Sequence, residues 1–119
     1  VSLPIGVPTE EIEQAVFINW LKANKLYYWH TPNSTYTKSW SQKRHNQNMG
    51  VQSGIPDLFV IVGNRVVGVE MKRIKGGVIS ENQKVWIERL NNANIPTKVC
   101  KGALEAIEYI KEMQNVKPR

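Results

Sequence analysis

Cysteine is almost missing from this chain: Cys100 is the only one in 119 residues. No disulfide can close within it, cysteine-ligated zinc has no basis, and a reducing, cytoplasmic setting is the expectation. Long apolar runs are also absent. The longest useful one, Leu58 to Val62, is far too short to span a bilayer, and no charged, apolar and small-residue series at the start resembles a signal peptide. No repeat or low-complexity tract is visible, which excludes solenoid and disordered classes. Acids are missing too, from one long stretch. None occurs between Glu13 and Asp57, whereas Lys22, Lys25, Lys38, Lys43 and Arg44 all fall there.

What is present reads as one domain, residues 1–119, large enough to bury roughly two thirds of the surface its unfolded chain exposes. A net charge of +6 suggests a polyanionic partner only weakly, since many basic domains bind no nucleic acid. The acid-free stretch says more, and marks a candidate polyanion surface.

The most informative segment is GIPDLFVIVGNRVVGVEMKRIK, Gly54 to Lys75. Two runs rich in Val, Ile and Phe, Ile55 to Val62 and Arg65 to Arg73, flank Gly63-Asn64, a two-residue hairpin signal. Pairing Val62 with Arg65 sets Asp57 across from Glu70. Alternation then puts Asp57, Glu70 and Lys72 on one face with Phe59, Ile61, Val66 and Gly68, and Leu58, Val60, Val67, Val69 and Met71 on the other. Two opposed carboxylates repel, so the register calls for compensation, either by Lys72 or by a divalent cation bound through oxygen. A one-residue slip would dismantle the arrangement.

Upstream, Val1 to Pro8 reads as an extended arm and Thr9 as an N-cap. A helix from Glu10 to about Asn24 follows, with Ile12, Ala15, Val16, Trp20 and Leu21 expected on the core. Glu10 and Glu11 suit the positive end of its dipole, which explains both without any site. Alternatively Glu10 and Gln14, four apart, look into a common cleft. Leu26 to His30 is strand-like, and Thr31 to Gly54 is a long polar connection with a short helix expected within Ser39 to Asn48. There Lys38, Trp40, Lys43, Arg44 and His45 either grip phosphates and stack on bases or form a solvated loop. His30 and His45 are candidates for a metal ligand or a general base, but nothing spaces them as ligands, and such a histidine is more often a core or surface residue with a satisfied hydrogen bond.

Downstream, Lys72, Arg73, Lys75, Gly76 and Gly77 form a basic connection. SENQ, from Ser80, is a capping box that by itself accounts for Gln83. The helix it opens carries Val85, Trp86, Leu90 and Ala93 as its apolar stripe and ends at Asn94. Thr97 to Lys101 reads as a strand, and Gly102 opens a last helix with Leu104, Ile107, Ile110 and Met113 inward. The order predicts an α/β fold, a mixed β-sheet flanked by α-helices, with the hairpin at its centre.

Pro56-Asp57 and Glu70-Met71-Lys72 resemble the defining motif of the PD-(D/E)XK nuclease superfamily, whose fold is that of restriction endonucleases. MGVQSGIPDLFV, VEMKRIKGG, SENQKVWIERL and VCKGALEAIEYI are similar to the VRR-NUC branch over nearly the whole chain, in its small, stand-alone phage form. The resemblance implies that Asp57, Glu70, Glu10 and the backbone carbonyl of Met71 bind Mg²⁺ or Mn²⁺, with Glu11 and Glu13 as alternatives to Glu10. It implies that Lys72 orients the attacking water and contacts the phosphate, unless it only pairs with Glu70. Gln14 and Gln83 match positions the family keeps polar near the site. DNA contacts are expected from Lys38, Trp40, Lys43, Arg44, Arg73 and Lys75, although Asn33 to Gln47 carries fewer basic residues than the family pattern. The implied function is a metal-dependent DNA endonuclease, a homodimer resolving four-way (Holliday) junctions. The alternatives are a flap or nicking nuclease of the same chemistry, or a non-catalytic DNA-binding module.

Overall fold

The computed structural model describes residues 6–31, 44–45, 48–50 and 52–116. The expected N-terminal arm, most of the expected short helix in the long connection, and Lys38, Trp40 and Lys43 lie outside these residues. The elements run α1 (Glu10–Ala23), β1 (Tyr28–His30), β2 (Leu58–Val62), β3 (Arg65–Lys72), α2 (Glu81–Asn92), β4 (Thr97–Lys101) and α3 (Ala103–Asn115). Among the described residues no helix is long and apolar enough to cross a membrane.

The strands form one sheet in the order β1-β2-β3-β4. β2 pairs antiparallel with β1 and with β3, while β3 and β4 run parallel, joined by the crossover through α2. Val62 lies opposite Arg65, the predicted register. Gly63, at φ 63°, takes the first central position of the turn, where a two-residue hairpin of the II′ kind places glycine. β2 begins at Leu58, three residues later than expected. Pro56 has no N–H to give a ladder, and the Asp57 carboxylate, through Oδ2, accepts the Met71 N–H at 2.8 Å.

Leu58, Val60, Val67, Val69 and Met71 are wholly buried and form one core with Phe17 and Leu21 of α1 and Ala106 and Ile110 of α3. Glu70 alternates with Val69 and Met71 and is reached by Gln83 of α2, so α2 lies over the opposite face.

Three expected helical stripes are corrected. On α1 the row facing the core is Glu13, Phe17 and Leu21, whereas Ala15, Ile12 and Val16 are exposed, the last two at 53% and 49%. The reason is Glu13. Its Oε1 accepts the N–H of Ala103 at 3.1 Å, supplying the cap that Gly102 cannot give α3. On α2 no residue is buried; Trp86 and Leu90 are half-buried, but Val85 and Ala93 face solvent, because this helix leans on the polar face of the sheet. On α3, Ala103 and Ala106 let the helix approach closely, with Tyr109 and Ile110 inward, and this rotation leaves Leu104 77% exposed.

Candidate active site

At one end of the central hairpin the sheet gathers charge that its own burial opposes. Asp57, Glu70 and Lys72 are 7%, 1% and 9% exposed. Glu10 reaches them from the first turn of α1, and Glu10, Asp57 and Glu70 each offer an oxygen within 4.8 Å of the others. Three carboxylates this close, two of them buried, could hold a divalent cation.

Each is fixed by local structure. Thr9 caps α1 by accepting the Ile12 N–H, which sets the helix start and turns Glu10 toward the cluster. Of the neighbouring acids, Glu11 is exposed and Glu13 caps α3, so among the first-turn acids Glu10 alone joins the cluster. Asp57 is held by its backbone as well as its side chain: its carbonyl accepts the Thr31 N–H at 2.8 Å and a hydrogen bond from His30 Nδ1 at 3.0 Å. That carbonyl can only accept, so Nδ1 carries the proton. Ahead of Asp57, Gly54 is at φ 89°, and a Cβ there would fall 2.7 Å from the backbone of Asn82. The glycine lets the loop press against the start of α2, where Asn82 Nδ2 donates to Ser53 Oγ at 2.7 Å.

Gln83 serves two purposes. Its Oε1 accepts the Ser80 N–H to complete the capping box, and its Nε2 donates to Glu70 Oε2 at 3.3 Å. Lys72 Nζ lies 3.9 Å from the same oxygen. Among the described residues Glu70 Oε1 meets no hydrogen-bond donor. Burial, first, and then the neighbouring Asp57 carboxylate push the Glu70 pKa up to about 9, and Lys72 offsets only part of this. Burial also raises the Glu10 pKa, opposed by Lys72 and reinforced by Asp57.

The other predicted residues are more scattered. Gln14 lies 3.4 Å from His30 Nδ1, one residue removed from the acids. Arg73 is half-buried beside the cluster and attracts Glu10, Lys75 is exposed on the following turn, and Arg44 is exposed. Sequence reasoning gave His30 no definite role. Its tie to the Asp57 backbone comes from pairing of β1 with β2, which no spacing in the chain announces.

A family model of the VRR-NUC domain matches residues 8–104. A solved structure described as a VRR_NUC domain protein superposes with a TM-score of 0.74 at 27% identity, covering 88% of this chain and 87% of that one. A comparison with curated proteins returns no match. Fold and comparisons together define a nuclease of the PD-(D/E)XK type, a class that depends on a metal and acts on DNA. The chain belongs to the VRR-NUC domain family.

Proposed function

We propose that this chain is a Mg²⁺- or Mn²⁺-dependent DNA endonuclease of the cytoplasm, with Asp57, Glu70, Glu10 and the backbone carbonyl of Met71 as the cation's ligands. The observation that carries the reading is the convergence of Glu10, Asp57 and Glu70 within 4.8 Å. The residues fit a hard divalent cation, because all the donors are oxygens and Glu70 Oε1 is buried with no hydrogen-bond donor among the described residues. Such an atom costs stability unless something positive meets it.

When bound, the cation would act as a Lewis acid, activating water and stabilising charge on the phosphate oxygens. The protein's groups do the rest. Gln83 Nε2 donates to Glu70 Oε2 and Lys72 Nζ lies 3.9 Å from the same oxygen, so Oε1 would be the atom free to bind the cation. The Met71 N–H fixes Asp57 Oδ2, and His30 fixes the Asp57 backbone. Lys72, two residues beyond Glu70 on the same face, also orients the attacking water and donates to the scissile phosphate. Arg73, Lys75 and Arg44, with Lys38, Trp40 and Lys43 of the long connection, track the DNA backbone. The described residues hold one such site, so cutting two strands takes a pair, and a homodimer acting on four-way junctions is the assembly we infer.

The test is cleavage of labelled junction, flap and linear duplex DNA with Mg²⁺, Mn²⁺ or Ca²⁺, with Asp57→Asn as control. Wild type cutting junctions in Mg²⁺ or Mn²⁺, and Asp57→Asn cutting none, is expected. Wild type that binds but never cuts would leave only a DNA-binding module. Cleavage confined to flaps would remove the junction-resolving role.

A further inference from the structure

One step along the strands from the acids, the same face carries a row that crosses all four strands. Trp29, Phe59, Gly68 and Thr97 are successive Cα partners from β1 to β4. Phe59 alternates with Leu58 and Val60, whose side chains are in the core, so the row points to the side of Asp57 and Glu70. Phe59 is two residues from Asp57, about 7 Å by the rise of a strand.

The row is built to hold a ring flat. A Cβ at Gly68 would fall 2.6 Å from Thr97 Oγ1 and 3.3 Å from Phe59 Cε1, so its absence leaves room for the Phe59 ring against β3. Trp29 stacks on Phe59, with 5.1 Å between ring centroids and 20° between planes. Phe59 is buried, yet Trp29 remains 47% exposed. α2 packs against β4, at the opposite edge of the sheet from β1. No acid occurs in the sequence between Glu13 and Asp57, so β1 and its neighbours in the chain carry no negative side chain.

A half-exposed indole fixed by a buried ring, close to carboxylates that would hold a cation at a phosphate, has the form of a base-stacking platform, since every base has a π-face. We propose that Trp29 stacks on an unpaired nucleobase of the substrate strand, so that the site favours DNA in which a base has left the duplex stack. The proposal rests on the nuclease reading above and adds the feature of the substrate that the site recognises.

Binding to a gapped duplex and to an intact duplex of equal length, by fluorescence anisotropy with Ca²⁺ in place of Mg²⁺, tests it. Trp29→Phe keeps a ring; Trp29→Leu keeps an apolar cover over Phe59 without one. The platform predicts that Trp29→Phe binds gapped DNA within about twofold of wild type and that Trp29→Leu loses about tenfold, with less than about twofold lost on intact duplex. Trp29→Leu binding gapped DNA like wild type, or losing the same factor on both DNAs, overturns it. In a second measurement 2-aminopurine in the gap is quenched by wild type and by Trp29→Phe but not by Trp29→Leu; absence of quenching by wild type also overturns it. Cleavage in Mg²⁺ is scored separately. Ring-dependent binding by a wild type that never cuts removes the nuclease reading and leaves the platform standing.

Discussion

Val67, Val69 and Met71 on one face of β3, and Glu70 and Lys72 on the other, are about equally hidden from water. The apolar set joins a packed core with α1 and α3, where burial is its own reward. The charged set is buried against its solvation: Glu70 Oε1 has no donor among the described residues, and burial pushes the Glu70 pKa up to about 9. One strand therefore carries the stability on one side and a frustrated charge cluster on the other. The contrast shows that burial alone does not separate core from site. On this strand what separates them is that the apolar face needs nothing more, whereas the charged face is buried among like charges. An unpartnered atom alone is not the mark, since Glu13 Oε2, in the core-facing row of α1, has no partner among the described residues either.

The sharpest way to break this comparison is Glu70→Gln. Loss of one charged ligand should lower Mg²⁺-dependent cleavage by on the order of a thousandfold, since several kcal/mol of charge stabilisation go with it. Without metal the same variant should be more stable than wild type. In wild type the unfolded carboxyl loses its proton near its ordinary value of 4.5, whereas the folded one keeps it to about 9, so folding stability falls as pH rises between the two. The gap in melting temperature between Glu70→Gln and wild type should widen from pH 5 to pH 9. A variant less stable than wild type across that range would place Glu70 with the core face.

On the other face, Leu21→Ala should destabilise by ~2–5 kcal/mol in urea unfolding while leaving the cleavage rate of the folded fraction unchanged. Next in size is the coupling of metal to protons. Below pH 9 a cation must displace the Glu70 proton, so apparent Mn²⁺ affinity should rise by up to about tenfold per pH unit between 6 and 8. The smallest effect is expected at Ser80→Ala, which removes half the capping box for ~1 kcal/mol. It should weaken thermal stability slightly and leave Glu70 in place, because Gln83 Nε2 still reaches it.

Much of this was legible in the sequence because the hairpin is local. Gly63-Asn64 and alternation set the register, and the register fixed which residues share a face with Asp57 and Glu70. The strand Thr97–Lys101 and the SENQ cap were readable for the same reason. The helical faces were not. Glu13 sits in the core-facing row of α1 because it caps α3, a partner ninety positions away, and a periodicity argument assigns a glutamate to solvent. Leu104 is exposed where two alanines are buried, because close approach favoured small side chains. His30 and Trp29 took their places through β1 pairing with β2 across the long connection, which no local pattern encodes.

The central claim is that Asp57 and Glu70 hold one divalent cation together. Mn²⁺ titration calorimetry at pH 8, run in two buffers of different ionisation enthalpy, reads both the binding and the proton it releases. The account predicts a Mn²⁺ site in wild type that releases close to one proton per ion and is lost or much weakened in Glu70→Gln. Binding in Glu70→Gln equal to that of wild type, with no proton released by either, would contradict it.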